Sequence, residues 1–134
     1  MEEKELKDTL FNCKTVAMVG ISPKEDRPSY IVASYLKSKG YRIIPVRPDG
    51  EKILGEKVYR SLMSIPKEID IDIVDIFRRS EDVPPIVEEA IRRGVKVVWM
   101  QEGVVNKEAG IKAEKAGLKV MMDRCIKKEH QRLY

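Results

Sequence analysis

Thr15-Val16-Ala17-Met18-Val19-Gly20-Ile21-Ser22-Pro23-Lys24-Glu25-Asp26-Arg27-Pro28-Ser29 is the stretch that decides the fold. An apolar run too short for a helix ends in Gly, Ser and Pro, and an amphipathic run from Tyr30 to Lys39 follows. The segment reads as buried strand, loop and helix. A tight turn at Gly20 lets backbone N–H groups approach a phosphate, while the start of the next helix adds unpaired N–H groups and the positive end of its dipole. Neither common phosphate signature is present. Gly20 lacks the further glycines of a dinucleotide fingerprint, and Arg27-Pro28-Ser29 stands where a P-loop has Gly-Lys-Ser/Thr. The loop is either an anion cradle or a plain connector. Arg27 favours the cradle, because a guanidinium beside a helix start can make paired hydrogen bonds to phosphate.

Outward from this stretch, strand and helix signals alternate. Glu2 to Phe11 carries Leu6 and Leu10 on one helical face. A helix from Ser29 to Lys39 stops at Gly40, and Tyr41 to Val46 is a second strand. Pro45-Val46-Arg47-Pro48-Asp49-Gly50 ends it, its prolines holding Arg47 in an extended rim segment. Glu51 to Ile69 is irregular, with a turn, a short edge strand and a short helical connection expected. Ile71 to Ile76 is the third strand. A helix to Arg93 follows, capped by Ser80 or Asp82, with Pro84 and Pro85 in its first turn. Val95 to Met100 is the fourth strand, Asn106 to Ala116 a helix, and Leu118 to Met122 the fifth strand. A last helix is expected to start at Asp123 as N-cap.

Five apolar runs joined by helical crossovers predict a single α/β domain over 1–134, a Rossmann-like three-layer fold around a five-stranded parallel sheet. The expected strand order is 3-2-1-4-5. In that order strands one and four flank the switch point, so Gly20-Ile21-Ser22 and Trp99-Gln101-Glu102-Gly103 share a crevice. Arg47 and Phe77-Arg78-Arg79 fall on its other rim.

Composition narrows the function. Hydrophobic residues make up 43% and charged residues 36% of 134, the profile of a globular protein with a solvated surface. Met1 to Glu5 lacks the basic start and apolar core of a signal peptide, and no apolar run reaches bilayer length; the expected setting is cytoplasmic. Cys13, Cys125 and His130 are too few and too scattered for a zinc site, and buried thiols are expected. The net charge of +4 comes from dispersed arginines interleaved with acids, without a basic helix or aromatic strand motif, so nucleic acid is not the expected partner.

For the ligand, Val46-Arg47-Pro48 stands where an NAD site has an acid. A cation there favours a ribose carrying a phosphate, as in NADP or coenzyme A. Phe77 is either an apolar contact to adenine or a core residue. Arg78 and Arg79 either contact phosphate or are merely solvated, and Gln101 either orients a ligand amide or satisfies loop backbone.

Val16 to Pro23 with Arg27-Pro28-Ser29, Gly40 to Pro48, Asp75 to Ser80, Val98 to Gly103 and Asp123-Arg124-Cys125 together resemble the stand-alone CoA-binding domain family, related to the CoA-binding domain of the succinyl-CoA synthetase α subunit. The resemblance spans nearly the whole chain. It implies coenzyme A in the switch-point crevice, contacted by Gly20, Ile21 and Ser22, by Arg27 and Ser29, by Pro45, Val46, Arg47 and Pro48, by Phe77, Arg78 and Arg79, and near Gln101. Arg47 departs from the asparagine usual in that family. The ligase's histidine and nucleotide-binding subunit have no counterpart in these residues, so ligase activity does not carry over.

Catalytic signals are sparse. Ser22 is not in a nucleophile elbow, and His130 sits in a charged tail where a solvated or capping role is expected. Asp70 and Asp72 share one strand face and Asp75 the other. Glu102 is an acid at the crevice mouth without a partner nucleophile. The reading is a CoA or acyl-CoA binding protein without established catalysis and with an unidentified protein partner allowed. The alternatives are an NADP-dependent oxidoreductase and an interaction protein with a vestigial crevice.

Overall fold

The computed structural model describes residues 1–134. Five helices, α1 (Glu3–Asn12), α2 (Pro28–Ser38), α3 (Val83–Arg93), α4 (Lys107–Lys115) and α5 (Ile126–Leu133), surround seven strands: β1 (Thr15–Val19), β2 (Arg42–Val46), β3 (Lys52–Ile53), β4 (Glu56–Lys57), β5 (Ile73–Ile76), β6 (Val97–Met100) and β7 (Lys119–Met121). β3 and β4 form a small antiparallel hairpin, the edge feature expected between Glu51 and Ile69. The other five strands make one parallel sheet in the order β2-β1-β5-β6-β7.

The architecture is the expected three-layer one, but the order differs. Counting only the five strands read from the sequence, it is 2-1-3-4-5 rather than 3-2-1-4-5. The physical reason lies in Pro45. Its carbonyl points away from β1 and accepts from Tyr59 N–H at 2.9 Å, so its nitrogen, which has no hydrogen, faces the same outer side. A strand with that gap is tolerated at an edge and cannot be sandwiched. β5, whose four residues are all buried, takes the centre.

Alternate strand residues feed two apolar layers. Val16, Met18, Ile73 and Trp99 pack under α1, α2 and α5 with Leu10, Leu36 and Ile126. Ala17, Ile44, Val74 and Val98 pack under α3 and α4 with Val87 and Ala113. The irregular 62–69 segment is held by one side chain. Arg93 donates to the carbonyls of Leu62, Ile65, Pro66 and Ile69 at 2.6–3.1 Å.

Two expected caps are replaced. Asp82 stands at the N-cap position of α3, but its carboxylate accepts from Arg78 and Arg79 and makes no capping bond. Ser80 Oγ instead accepts from Val105 N–H at 2.9 Å, tying the β5 loop to the β6 loop. Asp123 is not the N-cap of α5, which starts after Cys125. Asp123 adopts φ 61° and accepts from Gly103 N–H at 2.7 Å. His130 is buried rather than solvated, its Nδ1 2.7 Å from the Tyr35 hydroxyl and its ring stacked on Tyr134. No helix is long and apolar enough to cross a membrane.

Candidate functional site

The chain leaves β1 at Gly20 with φ +90°, and a Cβ there would stand 2.3 Å from the Phe77 carbonyl oxygen. Only glycine satisfies both conditions. Gly20 N–H donates to Val46 O at 2.9 Å and Phe77 N–H to Val19 O at 2.8 Å. The ends of β1, β2 and β5 are thereby laced together, and the switch point falls between β1 and β5, not between the first and fourth strands as expected.

The loop beyond Gly20 closes on itself. Buried Ser29 Oγ accepts from Ser22 N–H at 2.9 Å, Ser22 Oγ from Lys24 N–H at 3.1 Å, and Lys24 O from Arg27 N–H at 3.1 Å. The two serines therefore build the loop. α2 then begins without a side-chain cap, with Pro28 in its first turn and no acid there. Its first backbone bond is Ile31 N–H to Arg27 O, which leaves the N–H groups of Ser29 and Tyr30 for a ligand in front of an uncompensated dipole.

Two clefts meet over Gly20. The first has a volume of about 720 Å³, ordinary for a cofactor site, and only two of its sixteen lining residues are hydrophobic, Phe77 and Val104. Lys24, Arg27, Arg47, Arg78 and Arg79 face the carboxylates of Asp82 and Glu102, so the cleft selects an anion. The second, about 340 Å³, lies between the end of β2 and α3; Val19, Val46, Pro48, Pro85 and Ile86 give it apolar walls, and Arg60 and Ser61 line it too. Gly20, Arg47, Arg78 and Asp82 belong to both.

Several of these charges are already committed. Arg47 donates to Ile21 O at 2.9 Å and to Asp49 Oδ1 at 2.8 Å. Arg78 and Arg79 both donate to Asp82, whose carboxyl is held below the ordinary range chiefly by the Arg78 hydrogen bond. Glu102 pairs with Lys128 at 2.9 Å. Gln101 Oε1 accepts from Ile126 N–H at 3.1 Å, so its buried amide satisfies the start of α5, and Asp123 does not.

Of the residues expected at the site, Ser22, Arg27, Ser29, Phe77, Arg79 and Gln101 line the first cleft, Val46 and Pro48 the second, and Gly20, Arg47 and Arg78 both. The Ile21 side chain is fully buried, and its carbonyl already accepts from Arg47, which leaves its backbone N–H as the group without a protein partner. Pro45 lines neither cleft. Lys24, Asp82 and Val104 were missed in the first cleft, and Arg60, Ile86 and Glu89 in the second. Asp82 sits one helical turn from Arg78, a legible pairing; Arg60 reaches the site only because Tyr59 bridges Val46, which no local pattern announces.

Groups suited to covalent or metal chemistry are not assembled in either cleft. Cys125 is buried at the start of α5, Cys13 is buried at the opposite end of the sheet, and no three His, Cys, Asp or Glu side chains cluster as metal ligands. Asp75 is fully buried within the sheet, between Met18 and Trp99 of the adjoining strands.

A Rossmann-like sheet with an anion-selective cleft at its switch point defines a nucleotide-binding domain. The chain belongs to the family described as CoA binding domain, which matches residues 14–131, and coenzyme A is accordingly its ligand. It is 44% identical over 128 residues to the Bacillus subtilis protein YneT, covering 94% of this chain and 92% of that one. A hypothetical protein from Pyrococcus horikoshii superposes with a TM-score of 0.95 at 41% identity, covering 99% of this chain and 92% of the other. Acetate–CoA ligase [ADP-forming] II of Archaeoglobus fulgidus is 35% identical over 94 residues, 69% of this chain but 14% of the ligase. The kinship is thus to the CoA-binding parts of ADP-forming acyl-CoA ligases, of which this chain spans a small fraction.

Proposed function

We propose that this protein binds coenzyme A and acyl-CoA without acting on the thioester. The carrying observation is the first cleft: five basic side chains and an uncapped α2 N-terminus converge there, and its two acids are each paired, Asp82 with Arg78 and Arg79 and Glu102 with Lys128. The diphosphate sits against the N–H groups of Ser29 and Tyr30, with Arg27 beside it. Arg78 and Arg79 exchange part of their pairing with Asp82 for ligand phosphate. Phe77 and Val104 supply the apolar surface for the pantetheine arm.

The ligase reaction belongs to much larger proteins and is not transferred. The finer kinship expected from the motifs, to the succinyl-CoA synthetase α subunit, is part of this proposal, as is a cytoplasmic setting, which the two free thiols suit. The oxidoreductase alternative gains no support from a family match that is to CoA binding.

Incubation of the protein with acetyl-CoA, followed by native and denaturing mass spectrometry, tests the reading. One intact, non-covalent ligand per chain and hydrolysis no faster than in buffer are expected. Protein-dependent loss of the acetyl group, or a covalent adduct, would contradict it.

A further inference from the structure

We infer that Arg60, in the second cleft, is the residue that reads a phosphate on the ligand's ribose, and that Arg47 serves instead to hold the Gly20 loop. The inference rests on the CoA reading above and assigns a specificity residue within it.

Three arginines line the second cleft. Arg47 has its Nε and Nη2 on Asp49 and its Nη1 on the Ile21 carbonyl, so its charge is offset and its position ties the β2 end to the loop. Arg78 faces Asp82 at 3.2 Å. Arg60 is exposed and has neither a carboxylate nor a carbonyl partner, while of the acids lining the cleft Asp82 is paired with Arg78 and Arg79 and Glu89 accepts from Leu62 N–H at 3.0 Å. An unpaired guanidinium in such a setting gains most from an arriving phosphate, because no existing ion pair has to be broken.

The backbone holding Arg60 is fixed on both sides. Tyr59 N–H donates to Pro45 O and Tyr59 O accepts from Arg47 N–H, each at 2.9 Å. Ser61 N–H donates to Ser64 Oγ at 3.1 Å. Arg60 therefore projects from a preorganised segment, which reduces the ordering a ligand must impose. Val19, Val46 and Ile86, with the flat rings of Pro48 and Pro85, give the same cleft surfaces suited to a purine. With the diphosphate at α2, the nucleoside crosses Gly20 into this cleft and its ribose phosphate comes to Arg60.

The test is calorimetric titration of wild type, Arg60→Ala, Arg60→Glu and Arg47→Ala with CoA and with 3′-dephospho-CoA at fixed ionic strength. Wild type is expected to prefer CoA by about ten- to hundredfold, the range of a charge-assisted contact. Arg60→Ala should bring the ratio near one with dephospho-CoA affinity unchanged, Arg60→Glu should invert it, and Arg47→Ala should weaken both ligands alike. Wild-type discrimination retained in Arg60→Ala, or lost in Arg47→Ala alone, overturns this inference and leaves CoA binding standing. Wild type binding neither ligand overturns both.

Discussion

The carbonyl oxygen of Phe77 lies 2.3 Å from where a Cβ on Gly20 would stand. This contact joins the turn that leaves β1 to the one that leaves β5, so the shape of the switch-point crevice depends on one missing side chain. Gly20→Ala must both adopt a left-handed backbone, which costs about 1–2 kcal/mol, and push the Phe77 backbone aside. CoA affinity is expected to fall more than tenfold while far-ultraviolet circular dichroism stays that of the parent. Unchanged affinity in a folded variant would remove the turn from the site.

Asp75 has neither carboxylate oxygen hydrogen-bonded, and burial raises its pKa well above the ordinary value. Below about pH 3.8 the acid is neutral in both folded and unfolded chains and contributes no pH dependence. As pH rises above that, the unfolded chain ionises first, so stability falls until the folded pKa is reached, by about 1.4 kcal/mol per unit of difference. Asp75→Asn is therefore expected to be more stable than wild type at pH 8 and to converge with it near pH 4, in urea unfolding followed across that range. A constant gap between the two curves would show that the buried carboxyl ionises no differently on folding.

His130 works in the opposite sense. Burial, then the charges of Lys14 and Lys39, lower its pKa, and its Nδ1 lies 2.7 Å from the Tyr35 hydroxyl. Its contribution is complete above about pH 6.5 and is lost as pH falls from there toward the folded pKa, since the unfolded chain takes the proton first. His130→Phe keeps an aromatic ring beside Tyr134 and should flatten the stability profile between pH 7 and 5 relative to wild type. An identical slope in the variant would place the acid sensitivity elsewhere.

Arg93 donates to four carbonyls of the 62–69 segment, which has little regular structure of its own. Arg93→Ala should destabilise the protein by about 2 kcal/mol, because several inward carbonyls lose a charged donor at once. CoA affinity should hold, since Arg93 lines neither cleft. Thermal unfolding together with a CoA titration of the same variant checks both halves.

Much of this molecule was legible in its residues, and what was not has specific causes. The strands and helices follow from short apolar runs punctuated by Gly40, Gly94 and Gly117, and the crevice residues from the ends of those runs. The strand order differs from the expected one although Pro45 carries the information, because a proline within the second strand argues for an edge. His130 looked solvated because its aromatic partners Tyr35 and Tyr41 are distant in sequence. Asp123 looked like a cap because Asp commonly is one, while Gln101, twenty-five residues from Ile126, took that role. Arg60 joined the site through the Val46–Tyr59 bridge, a pairing of isolated residues that leaves no periodic trace.

Side-by-side calorimetric titration of the purified protein with CoA and with NADP tests the central claim most directly, since both carry an adenosine diphosphate and a phosphorylated ribose and differ in the hydroxyl that bears the phosphate, 3′ in CoA and 2′ in NADP, and in the arm beyond. The cleft geometry and the family match predict one CoA per chain, bound at least tenfold more tightly than NADP. Tighter binding of NADP, or no heat with CoA from a folded protein, would contradict it.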